Sequence, residues 1–210
     1  MKKLSSLIFV TLLFPGLINI AVAQQDVQTL FDGDVVHGGF GGPMIKFDDI
    51  RGDLGVWVGG RGGWVINLDD YHALTLGGGG FGLTTNHRTP GEFEVQNGNG
   101  EDYFAATGYG GLLLEYTNRS YQLLHLTATG LIGAGGLTIR DRNFTDIDED
   151  PNPFFVMEPG IHLELNVAHF FRIATGLNYR ITSGIDKAGF RDSDFTGANA
   201  SITLKFGFFR

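Results

Sequence analysis

Eight ionisable side chains occupy alternate positions within apolar or glycine-rich stretches of the sequence, and they are the residues best suited to do chemistry. They are Arg61, Glu115, Glu158, His162, Glu164, Arg172, Arg180 and Lys205. Glutamate and histidine can exchange protons with a substrate, and the same residue types can hold a metal ion. Because alternate side chains of a strand point to one face, residues at this spacing would share a common interior.

We interpret these side chains as a polar network that fills a narrow barrel, because an eight-stranded barrel is just wide enough for its own side chains. An unpaired buried ion is costly, so we expect Glu158 and Glu164 to pair with Arg172 and Arg180 on the next strand. His162 lies on the same face between the two glutamates, an arrangement that could mimic a metal-binding pair. The polar network is the favoured interpretation, and we predict no catalytic residue, metal ion or cofactor.

Two other segments match known sites only in part. The run Gly77–Gly82 fits the G-x-G-x-x-G pattern of a dinucleotide site, but the residues after it do not predict the helix that such a site needs. The acidic segment Asp141–Asp150 could hold Ca²⁺, but it lacks the glycine and the final glutamate of a calcium loop. We interpret the first as a glycine-rich strand and the second as a solvated loop.

The serines do not form a hydrolase motif. Ser120 is predicted in a turn, Ser183 and Ser193 in one loop, and Ser201 on the last strand, and no G-x-S-x-G sequence surrounds them. Acyl transfer and hydrolysis need a nucleophile beside a base, so these positions argue against that chemistry.

The first 23 residues predict a secretory signal peptide. Its charged start is Lys2 and Lys3, its apolar part is Leu4–Ile20, and its small-x-small cleavage site is Ala21–Ala23. Residues 24–34 precede the first predicted strand and are expected to form a periplasmic arm.

Composition limits the remaining possibilities. No apolar run after the signal peptide is long enough for a transmembrane helix, so any membrane span must be made of strands. The 33 glycines and 18 phenylalanines suit closely packed strands that face lipid. The absence of cysteine excludes disulfides and thiolate chemistry, and the net charge of −8 argues against nucleic-acid binding.

Period-two alternation of apolar and polar residues predicts an all-β fold. The eight predicted strands are Val35–Phe47, Leu54–Asn67, Tyr71–Thr85, Tyr103–Tyr116, Tyr121–Ile139, Phe154–Val167, Phe171–Thr182 and Phe195–Phe208. An even number of strands places the start of the first strand and the end of the last strand on the same side of the membrane. We therefore predict a closed antiparallel eight-stranded transmembrane β-barrel over residues 35–210.

Short and long connections alternate between these strands. The short ones are Leu68–Asp70, Thr117–Ser120 and Ala168–Phe170, and the long ones are Asn86–Asp102, Arg140–Pro153 and Ser183–Asp194. The first connection on the long-loop side, Asp48–Asp53, is brief. Because outer-membrane barrels have short periplasmic turns and longer outside loops, this rhythm assigns the three long loops to the outside.

Aromatic residues flank the connections, as expected where rings settle at membrane interfaces. The predicted periplasmic girdle comprises Trp64, Tyr71, Tyr116, Tyr121, Phe170 and Phe171. A second girdle is predicted from Phe47, Tyr103, Phe104, Phe154 and Phe155. A soluble barrel with its apolar face around a ligand is the alternative, but that fold offers no reason for rings to cluster beside the short turns.

The terminal segment Ile202–Phe209 resembles the assembly signal read by the barrel-insertion machinery, with Phe206, Phe208 and Phe209 as its aromatic residues and Arg210 after them. Over its mature length the chain resembles the small eight-stranded outer-membrane barrels of Gram-negative bacteria, the OmpA-like superfamily. The resemblance implies an outer-membrane location, with membrane lipids, lipopolysaccharide and the barrel-assembly machinery as partners. It names no external ligand.

Fold does not determine function in this superfamily. We expect a non-enzymatic barrel that contributes to envelope structure or displays its loops to an outside partner. The alternatives are a lipid A-modifying enzyme, a narrow pore and a soluble ligand-binding barrel.

Overall fold

The computed structural model describes residues 36–89, 103–142 and 150–209, and the predicted signal peptide and the arm 24–34 lie outside these ranges. The long strands are β1 (Val36–Ile50), β2 (Asp53–Asn67), β3 (His72–Leu83), β4 (Phe104–Asn118), β5 (Leu124–Arg140), β6 (Asn152–Ala168), β7 (Phe171–Ser183) and β10 (Gly197–Phe208). They form one closed antiparallel barrel in the order β1-β10-β7-β6-β5-β4-β3-β2. The predicted fold class is confirmed.

The two faces of each strand have opposite polarity, and the apolar face is the outer one. Along β6, residues such as Ile161 and Leu163 are exposed while Glu158, His162 and Glu164 are buried. Leu112 on β4 is 78% exposed. An exposed apolar belt around a charged interior is the arrangement of a barrel that spans a membrane, because lipid replaces water on the outside.

The turns are short at the end of the barrel where β1 begins and β10 ends. Asp69 organises the β2–β3 turn, since its Oδ1 accepts hydrogen bonds from the backbone N–H groups of Tyr71 (2.6 Å) and His72 (2.7 Å). Two residues, His169 and Phe170, join β6 to β7. Short turns are typical of the periplasmic end of outer-membrane barrels, so we refer to this end as the periplasmic end and to the other as the outer end.

The outer end is built differently from the prediction in one connection. Arg51 (φ 58°) and Gly52 (φ 88°) alone join β1 to β2, and their positive φ angles fit the tight turns of two-residue hairpins. Consequently Asp48, predicted in a loop, lies on β1 and is buried.

The last outer connection folds back over the mouth of the barrel. It contains two short strands, β8 (Asp186–Lys187) and β9 (Phe190–Arg191), and the short helix α1 (Asp192–Phe195). Ile185, Phe190 and Phe195 are buried against the residues that line the outer mouth. This connection therefore closes the mouth as well as presenting its polar residues outside.

The ladder between β1 and β10 has a gap. Gly41 pairs with Phe206 and Met44 with Thr203, but the intervening Gly42 and Pro43 have no partner in this ladder. Proline lacks the N–H that a ladder bond requires. The closing seam of the barrel is consequently interrupted near its middle.

No helix among the residues described by the structure is long and apolar enough to cross a membrane.

Candidate functional site

The structure places all eight predicted interior side chains inside the barrel. Each is at most 7% exposed. The charged residues form successive layers along the barrel axis, with an apolar cluster at each end. The network is described below from the outer end to the periplasmic end.

The outermost layer pairs Arg180 with Asp48. The guanidinium binds the Asp48 carboxylate, and Arg180 Nε donates a 2.7 Å hydrogen bond to the backbone oxygen of Phe195. Trp57 Nε1 donates to the same carboxylate at 3.0 Å, and the guanidinium lies over the Trp57 ring, 4.2 Å from its centroid. This layer also attaches the last outer connection to the barrel wall.

The next layer joins Lys46, Glu158 and Tyr109. The Lys46 ammonium forms an ion pair with Glu158, and the Tyr109 hydroxyl donates to the same carboxylate at 2.7 Å. Lys46 Nζ also lies 3.5 Å from the centroid of the Phe81 ring. Every charge in this layer is compensated by charge, hydrogen bonds and aromatic faces.

His162 lies in the centre of the barrel between a cation and an amide. Its Nδ1 is 2.8 Å from Arg61 Nη2, and its Nε2 is 2.8 Å from Asn178 Oδ1. A Cβ atom on Gly176 would overlap the imidazole, so the ring depends on that glycine for space. The predicted arrangement between two glutamates is replaced by these contacts.

The layer nearest the periplasmic end surrounds Lys205. Its ammonium binds Glu164 and lies 2.9 Å from Glu115 Oε2. Arg61 Nη1 lies 2.8 Å from Glu115 Oε1, and His125 Nε2 lies 3.4 Å from Glu164 Oε2. The two carboxylates of this layer thus share one ammonium.

The expected pairing with the adjacent strand needs correction. Glu164 does approach Arg172, at 3.8 Å, but Glu158 is bound by Lys46 on β1 and Arg180 by Asp48, also on β1. In a barrel this narrow, a long side chain can reach the opposite wall. A charged residue on the adjacent strand is therefore not a nearer partner than one across the lumen.

Several interior residues were not among the predicted set. Lys46, Asp48, Tyr109, His125 and Asn178 are all buried in the network. Lys46 and Asp48 share one face of β1 with Met44 and Ile50. Lys46 lies inside the predicted strand Val35–Phe47, where its parity with Met44 marks it as interior, and extending that alternation past Phe47 identifies Asp48.

Apolar clusters close both ends of the charged interior. The outer one includes Ile50, Leu137 and Phe190, and the periplasmic one consists of Phe40, Val65, Ala73 and Phe209. A cavity of about 10 Å³ beside Lys205 has room for about one water molecule. The interior is therefore a packed core.

The predicted periplasmic girdle faces outward. Trp64, Tyr71, Tyr116, Tyr121 and Phe170 are exposed, and Phe171 is half-buried in a stack with Phe206, with ring centroids 4.8 Å apart. The last two phenylalanines of the terminal segment differ in exposure, because Phe208 is 78% exposed and Phe209 is only 5% exposed. Phe209 closes the periplasmic end of the interior.

The second girdle is wrong for three of its five residues. Phe47 and Phe155 are exposed, but Tyr103, Phe104 and Phe154 are buried. Near the outer mouth these rings turn inward, where Tyr103 and Phe154 pack in the cluster that the last outer connection completes.

Two groups outside the membrane-spanning strands have shifted pKa values. The backbone hydrogen bonds from Tyr71 and His72 lower the pKa of the Asp69 carboxyl. Burial lowers the pKa of His87, which lies beyond the outer end of β3 and contacts Thr85 Oγ1 at 2.8 Å.

The serines singled out in the sequence lie in hydrogen bonds of the interior or on the exposed surface. Ser201 Oγ accepts a hydrogen bond from Asn178 Nδ2 at 3.1 Å, and Ser183 and Ser193 are exposed in or beside the last outer connection. Within the three described ranges, no group of three or more His, Asp or Glu residues is arranged to hold a metal ion.

No protein-family model matches the sequence, and no curated protein is similar to it. Solved structures that are similar to this chain include the attachment invasion locus protein Ail of Yersinia pestis, with 11% identity, 82% of this chain and 97% of that chain covered, and a TM-score of 0.47. The N-terminal β-barrel domain of Pseudomonas aeruginosa OprF has 14% identity, coverage of 83% and 100%, and a TM-score of 0.45. Neisserial surface protein A has 6% identity, coverage of 85% and 100%, and a TM-score of 0.44.

The outward apolar belt, the inward charges and the closed eight-stranded sheet make this chain a transmembrane β-barrel.

Proposed function

We propose that this protein is a non-enzymatic outer-membrane scaffold that presents its outer connections to a partner outside the cell. The observation that carries the proposal is the packed interior, in which buried ions compensate one another between two apolar clusters. Such an interior stabilises a rigid barrel and provides no path for a solute. Surface loops tolerate change better than a packed interior, so residues 90–102 and 143–149 of the outer connections are the segments that we propose for display.

The charge of the outer loops favours a basic partner. Residues 86–102 carry four carboxylates against one arginine, and residues 140–153 carry five carboxylates against two arginines. Each loop therefore has a net charge of −3. Complementary charge accelerates encounter and makes binding sensitive to salt.

The test replaces residues 90–102 and 143–149 with glycine-serine linkers, separately and together. Cells that carry each variant are applied to an array of immobilised proteins and glycans. The proposal expects capture by a basic partner that is lost in the double replacement and weakened by salt in the unaltered protein. A gel-mobility shift between unboiled and boiled samples shows that each variant is folded.

Equal capture of the unaltered and the doubly replaced protein would overturn the display role and leave an envelope-structural one. That role is measured separately as detergent sensitivity of the cells. A change in the lipid A mass spectrum when the protein is expressed would indicate an enzyme instead. Single-channel steps in a planar bilayer would indicate a pore.

A further inference from the structure

The outer surface of the barrel carries an apolar groove of about 480 Å³, centred on β7 and β10. It is lined by larger apolar side chains and by smaller residues, among them Phe47, Ile161, Leu177, Ile202, Thr175 and Ala200. All six are exposed on the outward face of their strands. The groove therefore belongs to the apolar belt and faces the hydrocarbon of the membrane.

Thr175 places a hydroxyl group within this apolar surface. On β7 it shares the outward face with Ile173 and Leu177, and across the sheet it pairs with Ile202 on β10 and Leu163 on β6. None of these four neighbouring side chains has a hydrogen-bond donor or acceptor. The hydroxyl makes no hydrogen bond to another residue in the described part of the chain.

The position of this hydroxyl is well inside the membrane. Thr175 is four residues from Phe171 of the periplasmic girdle. A strand advances about 3.3 Å per residue, so the two are separated by about 13 Å along β7. The apolar band of a transmembrane barrel is about 25 Å tall and its strands are tilted, so Thr175 lies at neither edge of the band. Neither water nor an acyl chain supplies a hydrogen-bond partner at this depth, and an unpaired hydroxyl in hydrocarbon is unfavourable.

A second copy of the chain carries a suitable partner at the same depth. Two barrels in one membrane have the same orientation, so a two-fold axis along the membrane normal brings equivalent residues to one level. With the axis beside Thr175, the two hydroxyls face each other, and one can donate a hydrogen bond to the other. This distinguishes a second copy from an acyl chain as the occupant of the groove.

The shape of the surface also suits a two-fold contact. Leu177 and Ile161 pair across β7 and β6 and are among the most exposed apolar side chains, so they form a ridge. On the other side of Leu177 its partner is the small residue Ala200 of β10. Across a two-fold axis the β6 side of one copy opposes the β10 side of the other. The ridge of each copy can therefore enter the groove of its partner, and such close packing favours association in lipid.

We propose that the barrel forms a two-fold dimer through this groove, with the two Thr175 hydroxyls hydrogen-bonded at the axis and each Leu177–Ile161 ridge packed over Ala200 of the other copy. The dimer would present the outer connections of two copies together. A partner with repeated binding sites would then bind with greater avidity. The inference goes beyond the display role and does not depend on it.

Engineered cysteines test the contact directly, because the chain contains no cysteine. The full chain is reconstituted in lipid vesicles and oxidised, with Thr175→Cys at the proposed axis and Leu112→Cys as the matched control. Leu112 is exposed near the middle of β4, on another part of the wall. Because disulfide formation requires close approach, we expect Thr175→Cys to form the linked dimer about tenfold faster or more. Equal rates, or a faster reaction of Leu112→Cys, would overturn the proposal.

Energy transfer between donor-labelled and acceptor-labelled copies measures association without a cross-link. Thr175→Val keeps the shape of the side chain but removes the hydroxyl, so it should weaken association severalfold, whereas Thr175→Ser should not. Ala200→Leu fills the groove and should abolish association. Its matched control is Ala134→Leu at an exposed position of β5, which should behave as the unaltered protein.

Energy transfer that survives Thr175→Val unchanged would overturn the hydroxyl contact, and transfer that survives Ala200→Leu would overturn the groove contact. A spin-labelled lipid that the unaltered protein immobilises and Ala200→Leu releases, with no energy transfer between copies, would assign the groove to an acyl chain instead. The gel-mobility shift shows that each variant is folded.

Discussion

Lys205 is a buried cation that contacts two carboxylates of the barrel interior. Its ammonium binds Glu164 from β6 and lies 2.9 Å from Glu115 on the opposite wall. All three residues are almost fully buried. Removing one partner of such a group leaves buried charge uncompensated, which costs more than the ion pair itself contributes.

We expect Lys205→Met to lower the free energy of unfolding by about 3–5 kcal/mol. The measurement is urea unfolding of protein reconstituted in lipid vesicles. In the double variant Lys205→Met/Glu164→Gln, most of the loss should be recovered, because Glu115 keeps Arg61 as a partner at 2.8 Å. Additive losses in the double variant would contradict the shared-charge interpretation.

We expect the stability of the β2–β3 turn to depend on pH through the Asp69 carboxylate. Its carboxylate accepts two backbone hydrogen bonds in the β2–β3 turn, and these lower its pKa in the folded protein. The stabilisation is therefore present above the pKa of the unfolded chain and is lost as pH falls through the lower pKa of the folded state. Amide exchange at Tyr71 and His72 should accelerate in that acidic range.

The matched variant for this titration is Asp69→Asn. Its side-chain oxygen can still accept a hydrogen bond but does not titrate, so the acid-dependent step in exchange should disappear. A step that persists in this variant would assign the pH dependence to another group.

At the scale of the strand, the interrupted seam between β1 and β10 leaves Gly42 close to its neighbour. A Cβ atom on Gly42 would overlap the carbonyl oxygen of Leu204, whereas a Cβ on the adjacent Gly41 would meet nothing within 4 Å. The two glycines are on opposite faces of the same strand, which makes them a matched pair.

We expect Gly42→Ala to destabilise the barrel by about 1–3 kcal/mol, as overpacking typically does. Gly41→Ala should change stability by less than about 0.5 kcal/mol, the usual range for exposed substitutions. Vesicle unfolding compares the two. Equal effects would show that the seam can widen to accept the methyl group.

The last outer connection is a structural element as well as a display element. Phe190 is fully buried over the mouth of the barrel, while Ser193 in the same connection is exposed. Truncating a buried phenylalanine typically costs about 3–5 kcal/mol, so Phe190→Ala should lower stability by that order. Ser193→Ala should leave it unchanged within about 0.5 kcal/mol. A neutral Phe190→Ala would mean that the connection packs weakly.

At the scale of the whole molecule, the barrel has its apolar face outside and its charged face inside. The two tryptophans report it independently, because Trp57 is 1% exposed inside the barrel and Trp64 is 49% exposed on its outer surface. In a bilayer of brominated phospholipid, the Trp57→Phe variant should be strongly quenched and the Trp64→Phe variant should not. The reverse order would contradict the membrane orientation of the barrel faces.

Much of the architecture was predictable from local pattern. The eight strands were each identified within about three residues, because alternation follows directly from the geometry of an extended chain. The ends were less well defined. The sequence around Asp48 contains two adjacent aspartates and a glycine, which indicate a loop, yet the structure turns with Arg51 and Gly52 alone.

Parity along a strand also placed eight charged side chains in the interior, since parity decides the face, but it was not applied to others such as Lys46 and Asp48. It did not determine their partners. Lys46 with Glu158 and Lys205 with Glu115 meet across the lumen, and such contacts depend on the order and stagger of eight strands around a closed barrel. The tertiary structure decided these pairs, and with them the closed interior, because distance across the lumen has no counterpart in spacing along the chain.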